Sequence, residues 1–206
     1  GQLTLRGAPL PLGSLFAAPI RMILAQPPER ATGSCVLRAT YFAQNLTTEE
    51  LDDFERRFGC PLVQWYGMTE TIAPPVANPL YRRRDNMTIG QPTGMSVRVV
   101  DKEGNDLDIG DVGELLVHGV PGVTLMAGYL DDPVATDAAV RDGWLHTGDM
   151  VRIERTGSLS FFDREKDMIK RSGENVAAAE VERVVNQHPA VFDSAAVGVP
   201  DPIRDE

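Results

Sequence analysis

The segment from Thr47 to Thr71 constrains the chain most, because it specifies a helix, a buried strand and a turn in unbroken succession. Thr47 is a good N-cap, and Glu50 three residues later completes a capping box. Leu51, Phe54 and Phe58 then fall on one face, and Gly59 is the expected stop. Pro61-Leu62-Val63-Gln64-Trp65 follows at once and reads as a buried strand that runs into Tyr66-Gly67-Met68-Thr69-Glu70-Thr71. Open α/β sheets place ligand contacts where a strand gives way to such a turn. Thr69 offers a hydroxyl to a phosphate oxygen, Glu70 a hard oxygen to Mg²⁺, and Tyr66 a ring on which a base stacks. A plain connecting loop remains the alternative.

Upstream, the helical spacing in Ile20-Arg21-Met22-Ile23-Leu24-Ala25-Gln26 begins at Pro19 and ends at Pro27-Pro28. Cys35 to Leu37 reads as a short apolar strand. Residues 1–14 carry neither helical nor strand period, so no element is assigned to them. Arg82-Arg83-Arg84, flanked by Pro79 and Asp85, reads as a solvated loop.

Downstream the pattern changes to short strands separated by Gly turns. Ser96 to Val100, a turn at Glu103-Gly104-Asn105, and Gly113 to His118 point to a small antiparallel sheet or barrel. Asp132-Pro133 starts a short helix that Gly143 is expected to end. Met150 to Ile153 and Ser158 to Phe162 form a hairpin across Thr156-Gly157. Asp149, beside a Gly turn, either accepts two hydrogen bonds from the vicinal hydroxyls of a ribose or merely caps the turn. The run from Glu165 to Arg171 is a charged turn or a joint. Ala177 to His188 reads as a helix with Val181, Val184 and Val185 on one face and Pro189 as the stop.

Composition narrows the partners. A formal net charge of -10 disfavours nucleic acid and anionic membranes, since both recruit by attraction to phosphate. No apolar run approaches the roughly 20 residues of a membrane span. Cys35 and Cys60 form no CxxC pair, and His118, His146 and His188 are scattered, so neither a disulfide framework nor a zinc site is expected. The expectation is a soluble, cytoplasmic protein.

Four stretches carry a more specific signal. YGMTET (Tyr66 to Thr71), GELLVHG (Gly113 to Gly119), DGWLHTGD (Asp142 to Asp149) and DREKDMIKRSGENVAAAEVE (Asp163 to Glu182) resemble, in order and spacing, motifs of the adenylate-forming superfamily. That group contains acyl-CoA synthetases, luciferases and peptide-synthetase adenylation domains. IRMILAQPP, YFAQNL at Tyr41 to Leu46, and VGVPDPIRDE at Val197 to Glu206 look most like bacterial carnitine or crotonobetaine CoA ligases.

The resemblance implies a mixed α/β and β fold corresponding to the C-terminal half of such a ligase. Residues 1–83 would be the end of a large N-terminal α/β subdomain, 84–163 a small distorted β-barrel subdomain, and 164–206 the start of a mobile α+β C-terminal domain. It implies ATP, Mg²⁺ and coenzyme A, with a small carboxylate as substrate. By motif, Thr69, Glu70 and Lys170 would be catalytic, with Glu70 on Mg²⁺. Tyr66, Gly67, Asp149, Arg164, Gly173 and Glu174 would contact nucleotide or CoA, and Lys166 would be the hinge. The family's Gly-Gly-Ala wall beside adenine falls on Phe42-Ala43-Gln44. Its phosphate loop and its C-terminal catalytic Lys fall outside these residues, so the 206 residues alone are expected not to catalyse. The competing expectations are a non-catalytic relic or interaction module and a medium-chain or aromatic acyl-CoA synthetase.

Overall fold

The computed structural model describes residues 12–28, 37–164, 168–171, 174–188, 190–191 and 194–199. The chain divides into two units, one made of residues 1–68 and 73–93 and the other of 69–72 and 94–206.

The first unit is built on a mixed sheet in the order β1-β2-β3-β4-β5. Its strands are β1 (Leu12–Phe16), β2 (Ala39–Ala43), β3 (Leu62–Tyr66), β4 (Val76–Ala77) and β5 (Gln91–Pro92). The first three run parallel, and β4 and β5 return antiparallel. Helices α1 (Ala17–Leu24) and α2 (Thr48–Phe58) supply the crossovers that parallel pairing requires. Ile20 of α1, Leu51 and Phe54 of α2, and Phe42 and Leu62 of the sheet form one buried cluster, with Phe58 packed against it. Burying each such side chain contributes about 1.5–3 kcal/mol.

Helix α2 forms as its sequence dictates. Glu50 N–H donates to Thr47 Oγ1 at 3.2 Å, Thr47 N–H donates to Glu50 Oε2 at 2.8 Å, and Gly59 closes the helix in the left-handed region at φ +58°. The arginine run differs from expectation at its last member. Arg82 and Arg83 are exposed, but Arg84 is half-buried and donates to Glu55 Oε1 at 2.6 Å and to the Leu62 carbonyl at 3.1 Å. It ties the loop to α2 and β3 and is not a solvated residue. The expected strand at Cys35 to Leu37 lies outside the described residues except for Leu37, which is not in a strand.

The second unit holds an antiparallel sheet in the order β10-β9-β7-β6. These strands are β6 (Ser96–Val100), β7 (Val112–His118), β9 (Trp144–Ile153) and β10 (Leu159–Arg164), and β8 (Val140–Arg141) pairs with β9. Gly113 lets β7 pass close to β6, since a Cβ there would lie 2.3 Å from the Val100 carbonyl oxygen. Helix α3 (Pro133–Ala139) starts as expected, with Ala135 N–H donating to Asp132 Oδ1 at 2.9 Å. It ends at Ala139 and not at Gly143, because Val140 and Arg141 leave the helix to pair with Leu145 and Trp144. Gly143, at φ +79°, turns that short hairpin instead.

Beyond β10, β11 (Met168–Arg171) and β12 (Glu174–Ala177) form a two-stranded ribbon that leads into α4 (Ala178–Val185). Val181, Val184 and Val185 are exposed on α4, so they are not core among the described residues. Pro189 lies outside those residues. Among them, no helix is long and apolar enough to cross a membrane.

Candidate functional site

Asp149 sits on β9 at a place where the sheet loses register. Glu114 pairs with Met150 and Leu116 with His146, so Thr147, Gly148 and Asp149 all stand opposite Leu115. Such a bulge leaves backbone groups without ladder partners and re-aims the side chains on it. Glu114 repairs the ladder with its side chain. Its Oε1 accepts the Gly148 N–H at 3.1 Å, and its Oε2 lies 3.0 Å from His146 Nδ1. Thr147 Oγ1 donates to the Leu115 carbonyl at 2.7 Å and accepts the Asp149 N–H at 3.1 Å. Gly148 adopts φ +68°, a conformation that disfavours any side chain, and no heavy atom lies within 4 Å of where its Cβ would be.

The bulge therefore fixes Asp149, whose residue exposure is 5%. A second bulge, in β10 between Phe161 and Asp163, makes Arg164 its cross-strand partner. Arg164 Nε lies 3.3 Å from Asp149 Oδ1, with the arginine side chain still 56% exposed. An acid held in a sheet beside a solvent-facing guanidinium can accept from hydroxyls while the cation reaches an anionic group. The structure thus brings together two of the residues expected to contact the nucleotide, Asp149 and Arg164.

A second cluster surrounds Glu70, in the 3₁₀ turn Thr69–Thr71. Thr69 is exposed and Glu70 half-buried. Met126 N–H donates to the Glu70 carbonyl at 2.8 Å, and the Tyr129 hydroxyl donates to Glu70 Oε1 at 3.0 Å. Burial first, and then the Glu70 hydrogen bond and charge, push the Tyr129 hydroxyl above its ordinary range, so it is a donor at neutral pH. Among the described residues, no group of three or more His, Cys, Asp or Glu stands ready to cage a metal.

The remaining expected residues are more dispersed. Tyr66 closes β3, is 8% exposed, and points its hydroxyl at Met68 Sδ, 3.9 Å away. Gly67 follows it, exposed. Lys170 and Glu174 are placed through backbone pairing alone, opposite Asn175 and Arg171 in the β11–β12 ribbon. Lys166 and Gly173 lie outside the described residues.

Sequence reasoning gave Glu114 and Tyr129 no role. Glu114 is the one charged residue in the apolar strand GELLVHG, a signal that was available. Tyr129 meets Glu70 across 59 positions, and nothing local announces it.

Comparison with known proteins gives a consistent picture. The family model for "AMP-binding enzyme" matches residues 15–130. The crotonobetaine/carnitine–CoA ligase of Proteus mirabilis is 41% identical over 189 residues, covering 91% of this chain. That of Salmonella typhimurium is 39% identical over 190 residues, with the same coverage. The chain spans 36–37% of the length of these curated relatives. Among solved structures, the amide bond synthetase of Marinactinospora thermotolerans superposes with a TM-score of 0.79 at 30% identity, covering 94% of this chain and 40% of that one. ATP-bound MatB of Rhodopseudomonas palustris gives 0.79 at 27% identity, covering 94% and 39%.

Proposed function

The chain belongs to the AMP-binding enzyme family, and from that premise we propose that it is part of an ATP-dependent carboxylate–CoA ligase. In the first half-reaction a substrate carboxylate oxygen attacks the α-phosphorus of ATP, and pyrophosphate leaves with the broken P–O bond. In the second the CoA sulfur attacks the acyl carbonyl and AMP leaves. Negative charge grows first on phosphate oxygens and then on a carbonyl oxygen, so fixed donors and cations at those places lower both barriers.

The observation that carries this reading is the Asp149–Arg164 pair, held where one bulge interrupts the β7–β9 ladder and another the β9–β10 ladder. Asp149 accepts from the ribose hydroxyls, and Arg164 donates to ribose or α-phosphate. Thr69 contacts phosphate, and Glu70 offers its carboxylate to Mg²⁺, which when bound neutralises phosphate charge. Tyr66 and Gly67 flank the adenine. From the resemblance alone, Lys166 is the pivot of a mobile domain beginning near Arg164, which follows an α/β part to residue 83 and a β part to 163. Lys170, Gly173 and Glu174 would then line the acyl-adenylate or the CoA thiol path. The acyl group is proposed to be carnitine-like, since curated relatives near 40% identity bear that name.

The test uses the complete polypeptide with ATP and a panel of trimethylammonium, medium-chain and aromatic carboxylates. The reading requires carboxylate-dependent exchange of pyrophosphate into ATP, strongest with the trimethylammonium acids, and thioester on adding CoA. In the K166P variant exchange persists while thioester formation fails. Exchange with no carboxylate, or with amino acids only, contradicts the ligase assignment.

A further inference from the structure

The Glu70 carboxylate is held by a loop that its own segment does not contain. Between β7 and α3, Met126 and Tyr129 supply the two donors already described, one to the Glu70 main chain and one to its side chain. That loop is itself anchored to α3. Tyr129 N–H donates to Thr136 Oγ1 at 2.9 Å, and the same hydroxyl donates to the Asp132 carbonyl at 2.8 Å. The tyrosine backbone is therefore set by the first turn of a capped helix, and its hydroxyl by the ring's two torsions.

A free glutamate swings through many rotamers and can chelate through either or both oxygens. Committing Oε1 to a fixed hydroxyl leaves Oε2 to face a cation in a single-oxygen mode. Mg²⁺, with its short bonds and strict octahedron, binds carboxylates readily in that mode. Partners that orient a metal-binding carboxylate lower the entropy lost on binding.

We propose that Tyr129 is a positioning residue for the divalent cation carried by the nucleotide, holding Glu70 Oε1 so that Oε2 is presented to the metal. This rests on the reading of Glu70 as the cation's carboxylate. In this role Tyr129 acts on the metal only through Glu70.

The experiment compares wild type, Y129F, E70Q and the double variant as complete polypeptides. Mn²⁺ binding in the presence of a non-hydrolysable ATP analogue is read from the electron paramagnetic resonance of free Mn²⁺. The Mg²⁺ dependence of pyrophosphate exchange and thermal melting are followed in parallel. Y129F should raise the apparent Mn²⁺ Kd about tenfold. Its maximal exchange rate at saturating Mg²⁺ should stay near wild type, because the loss is one of metal binding. E70Q should lose more, and adding Y129F to it should change nothing further. Wild-type Mn²⁺ binding by Y129F with weakened binding by E70Q overturns the positioning role and leaves the Glu70 reading intact. Wild-type binding by E70Q overturns both. A fall in melting temperature and maximal rate with no shift in cation dependence makes Tyr129 merely structural and overturns the proposal.

Discussion

Asp149 and Glu70 are both carboxylates beside short polar turns, and the second unit holds them by opposite means. Asp149 is part of a strand with neighbours on both sides, and its bulge is closed by Glu114, Thr147 and the backbone of Leu115. Glu70 stands in a three-residue 3₁₀ turn, steadied by one main-chain and one hydroxyl hydrogen bond from a loop. The first arrangement spreads its constraint over many bonds, and the second concentrates it in few. On the proposed reading Asp149 would meet an unchanging ribose, which suits the first. Glu70 would meet a cation arriving with the nucleotide and leaving with pyrophosphate, which suits the second.

Substitutions can break this contrast, and the largest effect is expected at Asp149. On the proposed reading D149A would remove charged hydrogen bonds to two hydroxyls, so exchange should fall roughly a hundredfold in kcat/KM for ATP, or about 3 kcal/mol. Steady-state kinetics reads this directly. Next comes E114A, which leaves the Gly148 N–H and His146 without their carboxylate. Stability should drop by about 1–3 kcal/mol in urea unfolding. ATP affinity should fall with it, because Asp149 rides on the same bulge. An E114A protein with wild-type ATP affinity would show that the bulge does not set Asp149.

How far these sites were legible depended on sequence separation. Helix α2 was readable to the residue because Thr47, Glu50 and Gly59 act through bonds that span at most four positions. The hairpin across Thr156-Gly157 was equally local, whereas the pairing of Arg164 with Asp149 follows from the register of the ladder. Strand β1 was invisible: Leu-Gly-Ser-Leu-Phe has no periodic stripe and becomes a strand only by parallel pairing with β2. The end of α3 was misjudged for the same reason, since pairing with β9 took Val140 from the helix. Glu114 and Tyr129 work through partners 32 to 59 positions away, a distance at which residue type alone gives no direction.

The smallest expected effect lies away from both acids, at a turn that serves as their control. Asp101 caps the β6–β7 connection, accepting from Asn105 Nδ2 at 2.9 Å, Asn105 N–H at 2.8 Å and Glu103 N–H at 3.0 Å. These bonds, the Asn105 side chain foremost, hold its carboxyl below the ordinary carboxylate range. The folded state thus favours the ionised form, so any stabilisation is present above the unfolded carboxyl's range and disappears as pH falls through the folded value. D101N should flatten that acid limb slightly in pH-dependent melting and leave exchange kinetics unchanged. A loss of exchange there would mean that turns of this sheet influence nucleotide binding without touching Asp149.

The central claim is that Asp149 reads the ribose diol, and a substrate-by-variant cycle tests it most directly. Exchange is measured with ATP, 2′-deoxy-ATP and 3′-deoxy-ATP in wild type and D149A. The account predicts that removing a hydroxyl lowers kcat/KM about tenfold or more in wild type and has almost no effect in D149A, because the partner is already gone. Equal losses in both proteins would contradict it and assign the ribose to another residue.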